Sequence, residues 1–434
     1  MLSISNEANK NYLCRVVQLK GVKKHPNADK LKMVTIDFQN VIIGDDYEDG
    51  DICVYFPVES QINFEFLSHT NSFSDKTLNR DKEVPGYFGK QGRVRAVKLR
   101  GERSFGYVVR VSVLCDYFQY DYLPLFEDSV GQEFDTIEET LMCKKYVVPV
   151  KQTNENRAGK KPRISRLVDG QVHLHVDTEN FRKEAYKIDP EDYISVTYKT
   201  HGTSWWVSNV LVKRKLTIFD KLLKLLGVRD EDTEYDYIYG SRKVVKNLYL
   251  EDPKAKDHFY EYDIWEEIKE ELKEFIPKGY TLYGEALGYT KSGAYIQEGY
   301  DYGCEVGKKR IQIYRITFTN PDGFVINLTS QQTMWFCEQF GLEYVHHYYF
   351  GKAKDLFKEI STEQHWHEEF VKRLEQTYTE ADCFMSKNKV PEEGIVIRKE
   401  KLTEFEAYKL KSFNFLERET AMLDKGEADL ESTN

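Results

Sequence analysis

The chain of 434 residues carries 62 Lys and Arg against 72 Asp and Glu, a formal charge of −10 at pH 7, with 41% hydrophobic residues. That length exceeds one ordinary domain and forecasts two or three units, and the apolar share supports real cores. The acidic balance excludes a wholly basic coat for nucleic acid but permits a local basic face, because phosphate affinity follows clustered Lys and Arg.

The seven cysteines are scattered without a Cys-x-x-Cys pair. Zinc knuckles and a disulfide framework are therefore not expected, and the thiols read as reduced. Nothing approaches the roughly 20 apolar residues of a membrane span, and the first thirteen residues lack the apolar core of a signal peptide. A cytoplasmic, membrane-independent monomer is the expectation.

From the N-terminus, short β-type segments are separated by Gly, Asn, Asp and Pro: Cys14–Lys20, Leu31–Phe38, Ile52–Phe56, Arg93–Leu99 and Gly106–Ser112. Five such strands without a long helix predict a small closed barrel of the OB type. Alternation over Arg93–Leu99 puts Arg93 and Arg95 on an exposed β surface, with Lys98 and Arg100 beyond, a face suited to a nucleic-acid backbone or simply a solvated edge strand. A basic, turn-rich stretch holding Lys151, Arg157, Lys160, Lys161, Arg163 and Arg166 then reads as a linker, with the boundary near residue 155. The two predicted units are thus 1–155 and 156–434.

The second unit is expected to be strand-dominated. Strands are predicted over Gln171–Val176, Tyr193–Tyr198, Trp205–Lys213, Tyr280–Leu287, Arg310–Phe318, Gly394–Lys399 and Ala407–Lys411, and another ends at Ser241-Arg242. Helices are predicted over Ile218–Leu226, Phe259–Phe275 (entered after Asp257), Ser330–Phe340 and Glu363–Tyr378. The acid-rich tail from Asp424 to Asn434 reads as frayed. The fold class is α+β.

Chemistry concentrates at Lys199, at the end of a strand in Tyr198-Lys199-Thr200-His201-Gly202-Thr203-Ser204. Lys-x-x-Gly is cheap by itself, since it recurs at Lys98 and Lys224. Context makes it informative. A nucleophilic lysine must lose its proton, and neighbouring cations favour the neutral amine. Lys409 and Lys411, two apart on a strand, point to one face and supply those cations. Gly202 allows close backbone approach to a phosphate. Glu285, in an apolar strand, needs a partner such as a sugar hydroxyl or a cation. Glu393, ahead of a hydrophobic strand, offers the oxygen ligand that Mg²⁺ prefers, with Glu392 as its possible substitute. Arg242 offers a fork for a terminal phosphate, with a surface ion pair as the alternative. Tyr314 and Ile316 are candidates to cover an adenine ring, with ordinary core packing as the alternative for either. His346-His347 and His365-Trp366-His367 lack partners at ligand spacing and are read as non-metal.

In this order the elements resemble the covalent nucleotidyltransferase superfamily of ATP-dependent ligases and capping enzymes, and more narrowly its RNA ligases. Lys199-Thr200-His201-Gly202 corresponds to the nucleophile motif, Ser241-Arg242 to the next element, and Tyr283-Gly284-Glu285 to the third. Gln312–Phe318 matches the adjoining strand, Glu393-Gly394 the fourth motif and Lys409-Leu410-Lys411 the fifth. Two departures stand out: His201 where Asp is commonest, and Thr317 where many relatives carry an acid. An OB module placed first, with Lys23-Lys24-His25-Pro26-Asn27-Ala28-Asp29-Lys30-Leu31 similar to tRNA-binding modules of some synthetases, is the arrangement of the Deinococcus-type RNA ligases. The segment Ser412-Phe413-Asn414-Phe415-Leu416-Glu417 is also similar to theirs.

The resemblance implies an OB-like barrel followed by a nucleotidyltransferase domain (ATP-grasp-like ligase) of antiparallel sheets with flanking helices. It implies ATP and Mg²⁺ (or Mn²⁺) as cofactors, and Lys199 as the amine that carries AMP. Lys409 and Lys411 would neutralise phosphate charge, with Glu393 for the metal, and Gly202, Arg242, Glu285, Tyr314 and Ile316 for the nucleotide. The implied partners are RNA 3′-hydroxyl and 5′-phosphate ends at nicks or breaks in duplex RNA or an RNA/DNA hybrid, in RNA repair. The alternatives are a DNA ligase, a capping guanylyltransferase, or a non-catalytic OB-type RNA binder. Removing residues before about 155 is expected to spare self-adenylylation and weaken sealing.

Overall fold

A computed structural model describes residues 1–147, 166–214, 232–246, 262–362 and 365–424. The predicted helix over 218–226, the linker up to 165 and the tail beyond Asp424 lie outside the described residues.

The N-terminal unit is built from short antiparallel strands. Cys14–Gln18 pairs with Ile52–Phe56, which pairs in turn with Tyr107–Arg110, while Leu31–Ile36 pairs with Gln39–Gly44. The hairpin Ala96–Leu99/Glu102–Phe105 leans on the latter pair, where the Ile42 amide donates to Ser104 Oγ at 3.0 Å. Alternation turns Val17, Cys53 and Tyr55 inward with Val34 and Val41, and sends Val16 and Val54 to the other face, against Phe66 and Leu114, each fully buried side chain contributing about 1.5–3 kcal/mol. Three corrections to the predicted strands follow from local geometry. The segment read as one strand to Phe38 is a hairpin, because Asp37 and Phe38 adopt φ of 51° and 58°. Such a two-residue loop normally announces itself with Asn-Gly or Asp-Gly; here Arg15, ion-paired with Asp37, holds it instead. After Arg110 the chain turns into the helix Val111–Phe118. Arg93, expected on an exposed face, is buried.

The second unit holds two main sheets. A five-stranded sheet runs in the order Glu179–Asn180, Glu406–Lys411, Gly394–Lys399, Tyr193–Lys199, His347–Lys352. The second sheet is centred on Thr203–Lys213, Tyr280–Gly288 and Lys309–Thr319, with Thr233–Ser241 flanking. Pairing is antiparallel except at Glu179–Asn180 and Glu343–Tyr344. The predicted strand over 171–176 joins neither sheet as a strand; the His175 amide there donates to the Arg242 carbonyl at 3.3 Å. One face of the five-stranded sheet (Ile194, Val196, Ile395, Ile397, Tyr408, Leu410) packs on Phe370, Val371 and Leu374 of the helix Trp366–Tyr378. Its period-two complement faces a cleft between the sheets. Of the predicted helix over 259–275, residues 259–261 and Asp257 lie outside the described residues; the described part is Ile264–Leu272, capped by Asp263 and continued by the turn Lys273–Phe275. Its apolar stripe packs on Trp205, Val207 and Leu282.

The two units share a packed seam. The last helix, Phe413–Asp424, lays Phe413 and Leu416 against Ala96 and Phe105. Arg93, 4% exposed, donates to Asp424 at 2.8 Å and to the Thr420 carbonyl at 2.9 Å, and Arg95 also reaches Asp424. The helix therefore runs through Asp424, and two of the hairpin's cations serve this seam.

Gly284 permits the central strand contact. A Cβ there would stand 2.1 Å from the Gln312 carbonyl oxygen and 2.3 Å from Trp205 Cζ2. Gly284→Ala should cost at least about 1–3 kcal/mol, the usual scale of overpacking, read as a lower calorimetric unfolding temperature; an unchanged temperature contradicts this packing.

Candidate active site

Three neighbouring strands of the five-stranded sheet form one wall of the cleft by register alone. Lys199 lies opposite Gly394, which lies opposite Lys411; Thr197, Val396 and Lys409 form the next tier, and Ser195, Arg398 and Ala407 the third. All except Gly394 line a cavity of about 270 Å³, close to the lower end of small-ligand sites at about 300–1,000 Å³. Lys199, Lys409 and Lys411 thus converge as expected. Burial and the adjacent Lys411 push Lys409 down to about 8.

Carboxylates face these cations. Glu393, 2% exposed, places Oε1 at 2.6 Å from Lys199 Nζ and Oε2 at 3.8 Å from His201 Nδ1. Among the described residues its Oε2 accepts no hydrogen bond, as a buried oxygen open to a further partner would. Glu392 points elsewhere, accepting from the Ala381 amide, and burial raises its carboxyl to about 7. Glu393 is therefore the carboxylate at the lysine. On the facing sheet Glu285 accepts from Ser204 Oγ at 2.6 Å. Arg242 lines the cavity and forks Asp177 at 2.7 and 3.1 Å. Against its burial, Arg242 and Lys243 hold the Asp177 carboxyl down at about 2.

Two expected site residues do other work. Gly202 makes room for the neighbouring strand: a Cβ there would meet the Ala286 carbonyl oxygen at 2.5 Å and Leu287 Cδ2 at 2.6 Å. Its role is to let the Lys199 loop pass beside Glu285. Ile316 is fully buried in the core with Trp205, Ile268 and Leu282. The cause is a bulge: Tyr283 pairs with Arg315 but Gly284 with Ile313, leaving Tyr314 as the extra residue. Alternation breaks there, so Tyr314 lines the cavity, hydrogen-bonded to His175 Nδ1 at 2.8 Å, while Ile316 turns inward.

The N-terminal unit also lines the cavity, through Asn9, Asn11, Tyr12, Glu59, Arg93, Lys145 and Tyr146. Glu59 pairs with Lys411 at 3.1 Å, and Glu419 of the last helix with the same Nζ at 3.2 Å. Burial opposes both charges but is outweighed: Lys411 rises well above the ordinary lysine range, and Glu59 falls to about 2. A truncation before 155 would remove part of this wall, contrary to the expectation that it leaves nucleotide chemistry intact. Glu59 carries no sequence signal, lying 352 residues from its partner.

Comparison with known proteins agrees with this architecture. A family model described as an OB-fold domain matches residues 13–111. No curated protein matches the chain by sequence. Among solved structures, an RNA ligase of Naegleria gruberi, as a lysine-to-alanine variant with ATP and Mn, aligns at TM-score 0.56 and 14% identity, covering 97% of this chain and 99% of that one. The same ligase with PPi gives TM-score 0.57 and 17% identity over 94% and 99%, and a variant with AMP and Mn gives 0.56 and 15% over 94% and 98%. The chain therefore shares the fold of that RNA ligase over nearly its whole length. The expected OB-type unit followed by a strand-rich ligase-type unit is borne out.

Lys409 is charged below about pH 8 and neutral above it, so cleft affinity for a polyphosphate should fall as pH rises through that value. Titration calorimetry with inorganic pyrophosphate should show the fall near pH 8, and Lys409→Arg should move it to higher pH. A wild-type affinity flat from pH 7 to 9 would contradict the assignment.

Proposed function

We propose that the protein is an ATP-dependent RNA ligase that joins a 3′-hydroxyl to a 5′-phosphate through a lysyl-AMP intermediate. The observation that carries the reading is the convergence of Lys199, Lys409, Lys411, Glu393, Glu285 and Arg242 around one cleft, in the fold of a ligase whose structures include ATP, AMP and PPi.

In the first step the neutral Lys199 amine attacks the ATP α-phosphorus; the P–N bond forms, the bond to pyrophosphate breaks, and the amine proton is lost. Lys409 and Lys411 favour that neutral amine and lower the charge on the phosphate oxygens. In the second, an oxygen of an RNA 5′-phosphate attacks the same phosphorus and the P–N bond breaks. In the third, the 3′-hydroxyl attacks the 5′-phosphorus and AMP leaves. Positioning and charge neutralisation supply most of such catalysis. Ser204 orients Glu285 for the ribose hydroxyls, and Arg242 faces the outer phosphates. Glu393 has the hard oxygen that a Mg²⁺ or Mn²⁺ ion takes through water; the ion would supply further neutralisation of phosphate charge.

The N-terminal unit, taken as 1–155, serves in this reading as the nucleic-acid-binding module, and 156–434 as the adenylyltransferase. His25 Nε2 at 3.1 Å from the Leu99 carbonyl, and Asn27 Nδ2 donating to the Arg100 carbonyl at 2.9 Å, tie the loop after Lys24 to the hairpin tip. That tie brings exposed Lys23, Lys24, Lys98 and Arg100 to one lip, which suits duplex RNA or RNA/DNA phosphates. Among the described residues no helix is long and apolar enough to cross a membrane. A cytoplasmic monomer acting in RNA repair completes the proposal.

Incubation with α-labelled ATP and Mg²⁺ should leave acid-labile label on the polypeptide. Lys199→Ala should abolish it, and Lys409→Ala should reduce its rate by about 10²–10³, the scale of removing one donor from a charge-stabilising site. Label on Lys199→Ala equal to wild type would end the reading, as would labelled protein that seals no nicked RNA.

A further inference from the structure

Glu59 belongs to the N-terminal unit, yet its side chain stands inside the cleft of the second. The turn that carries it is unusual: Glu59 adopts φ of 68°, a left-handed conformation uncommon outside glycine and retained where surroundings over-determine it. The surroundings do so. Its amide donates to the Val94 carbonyl at 2.9 Å and its carbonyl accepts from the Tyr146 amide at 3.0 Å. With both backbone groups fixed, the carboxylate is aimed at Lys411 Nζ, 3.1 Å away.

Lys411 needs such an aim. Its backbone is held by strand pairing with Gly394 and by Arg182 Nη2, which donates to its carbonyl at 3.1 Å. Its long side chain has many rotamers to lose, and ordering it costs up to about 2 kcal/mol, which its place over the Phe415 ring, 5.3 Å from the centroid, offsets only in part. Glu419 at 3.2 Å and Glu59 at 3.1 Å, whose carboxyl groups also lie within hydrogen-bond reach of each other, hold Nζ between the helix Phe413–Asp424 and the N-terminal unit. We propose that Glu59 is a positioning residue for nucleotide transfer: it holds Lys411 at the phosphate end of the cleft, and so makes the first chemical step depend on the N-terminal unit.

The proposal rests on the lysyl-AMP reading. It extends to Lys409, whose charge is opposed by Lys411, Lys199 and Arg242 and supported by Glu59. Among the other charged groups at the cleft, Glu419 and Glu393 favour the Lys411 ammonium. Removing the Glu59 charge therefore lets Lys409 lose its proton at lower pH.

The experiment is single-turnover label transfer from α-labelled ATP in the full-length protein between pH 6 and 10. Wild type, Glu59→Gln, Glu59→Asp and Glu59→Gln/Lys409→Arg are compared, each checked for folding by thermal melt. Glu59→Gln should be slower, with its alkaline limb lowered by about one pH unit. Lys409→Arg in that background should remove the lowered limb, because arginine stays charged. Glu59→Asp keeps the charge but not the reach, so its limb should stay in place while its rate falls; this arm stands if the neutral variant does not fold. A Glu59→Gln profile that superimposes on wild type overturns the proposal. So does an equal loss at every pH, or a Glu59→Asp rate equal to wild type. Wild-type protein that takes no label removes the ligase reading and this proposal with it, whereas labelled wild type with an unmoved Glu59→Gln limb removes this proposal alone.

Discussion

Lys409 and Lys411 turn to the same side of one strand, into a cleft also reached by Lys199, and the repulsion among these half-buried cations constrains everything around them. Charges of one sign cannot be gathered in a low-dielectric site unless carboxylates are supplied or a proton is released. The molecule does both. Glu393 answers Lys199, Glu59 and Glu419 answer Lys411, and Lys409 is left with a depressed proton affinity. Those acids come from three places in the chain: the strand entry after Pro391, the barrel turn and the final helix. The cleft can therefore exist only when all three are packed together.

That requirement explains why the domain seam is built as it is. The final helix carries Glu419 toward Lys411 and places Phe413 and Leu416 on the barrel. Its end is pinned by Arg93 and Arg95 through Asp424. Two arginines that alternation assigned to an open nucleic-acid face are thus spent on orienting an acid of the cleft. The hairpin's basic character survives only at its tip, around Lys98 and Arg100.

Much of this was legible in the sequence because strand alternation is a local rule. Once Tyr193–Lys199, Gly394–Lys399 and Glu406–Lys411 are strands, the period of two already separates Lys409 and Lys411 from the core residues Tyr408 and Leu410. Positions failed where the rule is interrupted without a composition cue. The bulge at Tyr314 sent Ile316 to the opposite face, and the Asp37-Phe38 turn hid a strand because neither residue is the glycine that usually marks it. Gly202 was correctly singled out as a close approach, but what approaches is the Ala286 backbone. Glu59 could not be read at all, since only tertiary packing brings it to Lys411.

The same balance of charge bears on how a polyanion enters so acidic a molecule. A phosphate arriving at Lys199 and Lys411 meets ammonium groups that already have oxygen partners, so binding there is an exchange of carboxylate for phosphate oxygens and not a capture by bare cations. Exchange preserves the paired state of each charge and avoids leaving a buried ion without a partner, the costliest outcome available. The displaced carboxylates then remain beside the bound phosphates, where a divalent ion can satisfy both sets of oxygens. A cleft whose lysines at positions 199 and 411 already face carboxylates is therefore better matched to a metal-bound nucleotide than a purely cationic one, even though its net attraction for free phosphate is weaker.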